Sequence, residues 1–170
     1  MNQKIFLYLL TAFLLLIGYS LSPHQAVAAE KQVIQIETKS LSGQAKTLDD
    51  FKGQKVVVHF FATWCQPCQE EMPDIVEFSK KLEQEGVGFV PIHLTKVDPD
   101  LEQLLAFLSH YQASFDPWLD QTGEWMNKYH IVGIPTTVFL DEQGKEVQRI
   151  NGMLPSDIAS SYIMANKKGD

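Results

Sequence analysis

Apolar and polar positions repeat along this chain with two different periods, and the switches between them mark its elements. Residues 33–38 alternate, with Val33, Gln35 and Glu37 set against Ile34 and Ile36, which predicts a half-buried strand. Gly43 suggests a turn. Thr47-Leu48-Asp49-Asp50 has the form of a capping box, with Asp in place of Glu or Gln, and opens a short helical turn ended by Gly53. Residues 56–61, Val-Val-Val-His-Phe-Phe, form a continuous β-branched and aromatic run, the pattern of a buried strand. From about Cys65 to Glu85 the period becomes helical, with Met72, Ile75, Val76, Phe78 and Leu82 on one side. Pro73 is expected to kink this helix, and Gly86 ends it. Residues 87–94 predict a second apolar strand, in which Pro91 points to a bulge or an edge. Asp98-Pro99 precedes a helix over about 100–110, with Leu101, Leu104, Leu105 and Leu108 on one face. A short strand is expected within 115–119 and a helix over 122–129. Residues 136–140 and 146–150 flank the turn Asp141-Glu142-Gln143-Gly144 as a hairpin, and Pro155-Ser156-Asp157 opens a last helix through about Ala165. This order predicts an α/β layer fold with a mixed sheet.

The chemistry is concentrated where the first buried strand gives way to its helix. There Ala62-Thr63-Trp64 leads into Cys65-Gln66-Pro67-Cys68, the chain's two cysteines. A Cys-x-x-Cys at a strand-to-helix junction is a dithiol redox motif. Cys65 falls at the helix N-terminus, where unpaired amides and the helix dipole favour a thiolate. Cys68, one turn further in, can close a disulfide onto it. Pro67 lies in the first turn, where its missing N–H costs nothing. A structural zinc site needs two more ligands than this motif supplies. There is no third cysteine and no closely spaced histidine pair among His24, His59, His93, His110 and His130, so no metal is expected. Nor does any motif imply a cofactor. A disulfide spanning two residues is also a weak staple, because it removes little chain entropy.

The N-terminus bears on compartment. Lys4 precedes an apolar run over residues 5–21, followed by a polar break and Ala26-Val27-Ala28-Ala29, a small-residue cleavage pattern. Residues 1–29 therefore read as a signal peptide, with retention as a membrane anchor as the alternative. Residues 30–170 read as one exported domain. The chain carries 14 basic and 21 acidic residues, a net charge of −7, and Arg149 is its only arginine, a balance that argues against nucleic-acid binding.

Trp64-Cys65-x-Pro67-Cys68 together with Gly133-Ile134-Pro135-Thr136-Thr137 resembles the thioredoxin fold. More narrowly, Thr47-Leu48-x-x-Phe51-x-Gly53-Gln54, the central strand and the extra strand–helix segment before Gly133 resemble exported thiol-disulfide oxidoreductases of the TlpA/ResA/StoA type. The resemblance implies a mixed central sheet flanked by helices, with an N-terminal strand extension and a central strand–helix insertion. It implies a monomer that reduces protein disulfides outside the cytoplasm, fed by a membrane thiol-disulfide donor of the CcdA/DsbD kind, with apocytochrome c or envelope proteins as substrates. By the same resemblance Pro135 is a cis-proline that leaves the Ile134 backbone free to pair with a substrate, and Trp64 supports that contact. Glu71, three residues beyond Cys68 and so able to reach the same part of the helix, is by resemblance a partly buried acid that tunes the thiols and relays protons. His59 stands where many thioredoxins carry a buried acid; either Glu71 takes over that role, or His59 shares it as an imidazole that exchanges protons near neutral pH, or His59 is a satisfied core histidine. Gln69 replaces a basic residue often found after the motif. A disulfide-forming oxidase and a redox-dependent binding or chaperone module remain open alternatives, with a thiol peroxidase more remote.

Overall fold

The computed structural model describes residues 36–167, with side chains described through Met164. Residues 1–29, the expected signal peptide, and residues 33–35 of the first expected strand lie outside them. Within the described residues the chain forms β1 (Thr38–Ser40), β2 (Ala45–Lys46), a 3-10 turn (Leu48–Phe51), β3 (Val56–Phe61), α1 (Gln66–Gln84), β4 (Gly88–His93) and α2 (Leu101–His110). It continues through β5 (Trp118–Leu119), α3 (Glu124–Lys128), β6 (Thr136–Leu140), β7 (Glu146–Asn151) and α4 (Ser156–Lys167). One seven-stranded mixed sheet runs in the order β2-β1-β5-β4-β3-β6-β7. β3 pairs in parallel with β4 and antiparallel with β6.

All six residues of β3 are buried, which is why its sequence is a run and not an alternation. The strand's period of two still divides it. Val56, Val58 and Phe60 pack with Val90, Ile92, Trp118, Trp125, Val138 and Leu140 on one side of the sheet. Val57 packs with Phe78 and Leu82, and Phe61 with Met72 and Ile75, on the side covered by α1. His59, between Val57 and Phe61, therefore points toward α1. Helix α1 answers with a buried stripe of Cys68, Glu71, Met72, Ile75, Phe78, Ser79 and Leu82. Glu71 is buried because its position falls within the apolar face.

The capping box forms at the 3-10 turn: Thr47 Oγ1 accepts from the Asp49 amide, and Asp50 Oδ2 accepts from the Thr47 amide at 3.1 Å. Phe51 at its end lies flat against Gly88, where a Cβ would come within 2.4 Å of the ring. That contact explains a glycine at the start of β4.

Several expectations are corrected. The first described strand is Thr38–Ser40, later than the alternation suggested, because it is defined by pairing with β2 and with β5. β2 was not foreseen; two residues carry no periodicity. No bulge accompanies Pro91, since β3 and β4 stay in unbroken register from Val56↔Gly88 to Phe61↔His93. The edge reading fits better: on β4, strand β5 reaches only Ile92 and His93, so among the described residues the Pro91 end of β4 has no paired strand on that side. In α2, Leu104, Phe107 and Leu108 are buried while Leu105 is exposed, so the buried stripe runs through Phe107 instead. α1 continues through Pro73, which sits on the exposed side of the helix.

Candidate active site at the start of α1

The chain leaves β3 through a turn, Ala62 to Cys65, closed by a long bond from the Cys65 amide to the Ala62 carbonyl, 3.4 Å. Cys65 is the N-cap of α1: its backbone is extended, and its Sγ accepts from the Cys68 amide at 3.3 Å. Sulfur thus occupies the place usually taken by a capping oxygen, against the free amides of the first turn. Cys65 and Cys68 are joined by a disulfide with their Cα atoms 5.2 Å apart. Cys65 is 4% exposed and Cys68 fully buried, so attack from outside reaches the first sulfur and not the second. Pro67 is exposed in the first turn, and Trp64 is 55% exposed at the turn's crest.

The Gly133–Pro135 loop meets this turn from β6. The Ile134–Pro135 peptide is cis. Ile134 packs against the cluster that contains both cysteines, and the loop is tied by Thr136 Oγ1 donating to the Gly133 carbonyl at 2.8 Å. Pro135 is buried, and its carbonyl accepts from the Gly152 amide, also at 2.8 Å. The structure thereby brings Cys65, Cys68, Trp64, Pro67, Ile134 and Pro135 to one end of the sheet. Val132, 94% exposed, adds an apolar side chain to the loop that the sequence reading passed over.

Beneath the disulfide lies Glu71, 2% exposed. Its Oε2 accepts from the Leu154 amide at 2.8 Å, and its Oε1 lies 3.4 Å from His59 Nε2. Burial pushes the carboxyl up to about 7, against the lowering effect of the Leu154 bond and with a smaller push from Asp74. His59 shares a 3.0 Å hydrogen bond between Nδ1 and Thr137 Oγ1, and burial drives it down to about 3. Two neutral groups therefore face each other near pH 6, a carboxylic acid and an imidazole, and not an ion pair. His59 is the neighbour of Glu71, with no hydrogen bond between them. Glu70, by contrast, is exposed and pairs with Gln66 along the helix surface at 3.0 Å.

A second buried network escaped the sequence reading. Asp98 Oδ2 accepts from the Thr63 amide at 2.6 Å and from His93 Nε2 at 2.8 Å, and Gln69 Nε2 donates to the Thr63 carbonyl at 2.7 Å. The one signal was a histidine ending an apolar strand, followed shortly by an acid.

Residues 29–149 match the AhpC/TSA family. The chain belongs to that family, as a thiol-disulfide oxidoreductase of the TlpA/ResA/StoA type. It is 32% identical over 141 residues to sporulation thiol-disulfide oxidoreductase A of Bacillus subtilis, covering 81% of this chain and 85% of that one. It is 29% identical over 151 residues to the thiol-disulfide oxidoreductase ResA of Bacillus cereus, covering 89% and 85%. The crystal structure of StoA from Bacillus subtilis superposes with a TM-score of 0.66 at 27% identity, over 77% of this chain and 95% of that one. The thioredoxin-like fold and the oxidoreductase class expected from the sequence both stand.

Proposed function

We propose that this oxidoreductase works as a reductase of protein disulfides outside the cytoplasm, exported by residues 1–29 and acting as a monomer through Cys65 and Cys68. The Cys65 thiolate attacks one sulfur of a substrate disulfide; that S–S bond breaks, and the other substrate sulfur leaves as a thiolate that takes a proton. Cys68 then loses its proton and attacks Cys65 Sγ, forming the Cys65–Cys68 bond and releasing the second substrate thiol. Two electrons pass from the dithiol to the substrate. Cys68 is buried, so the proton it sheds needs an acceptor inside the protein. The observation that carries the reading is Glu71, a buried carboxyl poised at about 7 and one turn beyond Cys68 on the same helix face. Trp64, Ile134 and Pro135 hold an extended segment of the substrate beside Cys65. Reducing equivalents come from a membrane thiol-disulfide donor of the CcdA/DsbD kind. Its substrates in this proposal are of the apocytochrome c or cell-envelope class.

Equilibration of the Cys65–Cys68 pair against a thiol buffer tests the direction. A reduction potential near that of thioredoxin, about −270 mV, fits a reductase. A value near about −120 mV makes the protein a disulfide donor and overturns the proposal.

A further inference from the structure

The Thr63 peptide, two residues before Cys65, is gripped from both sides. Its amide donates to Asp98 Oδ2 at 2.6 Å, and its carbonyl accepts from Gln69 Nε2 at 2.7 Å. The turn itself has only the long 3.4 Å bond from Cys65 to Ala62, so these two outside contacts fix its shape. Asp98 is in turn held by His93, fully buried, whose Nδ1 shares a 3.0 Å bond with Thr95 Oγ1. Burial keeps His93 below its ordinary range despite the acid beside it, so it serves as a neutral donor. Asp98 is itself only 4% exposed, and although burial pushes its carboxyl up, the Thr63 amide and His93 outweigh that and hold it low. A buried carboxylate without a cation is costly to keep. It cannot be there to acidify Cys65, because a negative charge nearby opposes a thiolate. What it supplies is a fixed acceptor for one amide, the Thr63 N–H.

We propose that Asp98, backed by His93 and opposed by Gln69, is a positioning residue that fixes the Thr63–Cys65 turn and thereby the line along which Cys65 attacks. The inference rests on Cys65 as the attacking thiol but not on the direction of electron flow. Asp98 acts through the Thr63 amide and not through its charge.

The test measures single-turnover reduction of insulin disulfides by the fully reduced full-length protein, alongside the pH dependence of Cys65 alkylation by iodoacetamide. Asp98→Ala slows exchange by about 10- to 100-fold, the order expected for a misplaced reacting group, without raising the midpoint of Cys65 ionisation. Asp98→Asn, which retains an acceptor for the amide but no charge, recovers the rate to within about threefold of wild type. Leu82→Ala, a cavity in the core at the far end of α1, lowers stability but leaves the rate within about threefold, which separates positioning from general loosening. Gln69→Ala removes the other grip from a partly exposed side chain, so it folds even where Asp98→Ala does not, and slows exchange by about threefold or more. Asp98→Asn as slow as Asp98→Ala, or Gln69→Ala as fast as wild type, overturns the proposal. Wild-type protein that fails to reduce insulin overturns the assignment of Cys65 and this inference with it.

Discussion

Glu71→Gln is the perturbation that reads the buried pair most directly, because it preserves shape and removes one titration. The Glu71 carboxyl moves from an ordinary 4.5 to about 7 on folding, so between those values the folded chain holds a proton that the unfolded chain has shed. Stability therefore falls as pH rises through that window, by about 3 kcal/mol in all. His59 acts in the opposite sense. It drops from 6.5 to about 3, so the unfolded chain binds the extra proton and stability rises with pH between those values, by about 5 kcal/mol. Where the windows overlap, from 4.5 to 6.5, the two nearly cancel. Wild type should show a plateau there, with a loss toward acid from His59 and a loss toward neutrality from Glu71. Glu71→Gln removes the whole Glu71 contribution, so the plateau gives way to the rise from His59 and no loss follows it. Denaturant titrations of the oxidised protein from pH 4 to 8 check this: the variant should match or fall below wild type at pH 4.5 and gain about 3 kcal/mol on it by pH 8. The same variant should slow the resolution step by about 100-fold at pH 7, seen as accumulated mixed disulfide, because an amide cannot take the Cys68 proton. A stability difference that stays flat with pH would refute the neutral buried acid and the proton role built on it.

Three further outcomes follow from the same geometry. Cys68→Ala leaves Cys65 without its resolving partner, so covalent adducts to Cys65 should persist on non-reducing gels and be absent from the Cys65→Ala/Cys68→Ala control. His59→Leu removes the polar neighbour of Glu71 Oε1, so the ascending limb of the exchange pH profile should move above pH 7 while thermal unfolding remains cooperative. Gly88→Ala sets a methyl group 2.4 Å from the Phe51 ring, and should lower stability by about 1–3 kcal/mol with the reduction potential unchanged.

Much of this fold can be read from local patterns because its central elements are long and their signals redundant. Strand β3 matches its apolar run residue for residue, and α1 begins one residue after Cys65, as the cap and Pro67 required. The cysteines were legible because spacing and context point to one chemistry. Glu71 and His59 were visible as candidates, but their contact was not: it depends on a strand and a helix packing so that position 59 faces position 71. β2, two residues long, has no period to detect and exists through pairing alone, whereas β5 falls inside the short strand expected within 115–119. Leu105 and Phe107 changed places because α2 is buried along a stripe only about one-third of its circumference wide, and four leucines did not specify its centre. Asp98 was read as part of a helix start, where Asp100 in fact caps α2; nothing within a few residues connects position 98 to an amide thirty-five residues earlier.

The two buried polar networks sit on either side of one aromatic ring. Phe61 stacks at 6.2 Å from His59 and lies 5.5 Å from His93, its partner in register on β4. One histidine shares a hydrogen bond with Thr137 and lies 3.4 Å from the acid Glu71 without bonding to it; the other is hydrogen-bonded to Thr95 and Asp98. No group is shared. Each pair also leans to a different protonation state: burial raises Glu71 to the edge of neutrality, whereas donated hydrogen bonds keep Asp98 low. The acid proposed to exchange protons accepts from one backbone amide, and the acid proposed to stay an acceptor takes both a backbone amide and an imidazole on one oxygen. Both lie next to the same disulfide because the edges of β3 deliver them there, one through the helix packed on its face and one through the neighbouring strand. The burial that makes either carboxyl expensive is what separates proton transfer from placement within a few residues of Cys65.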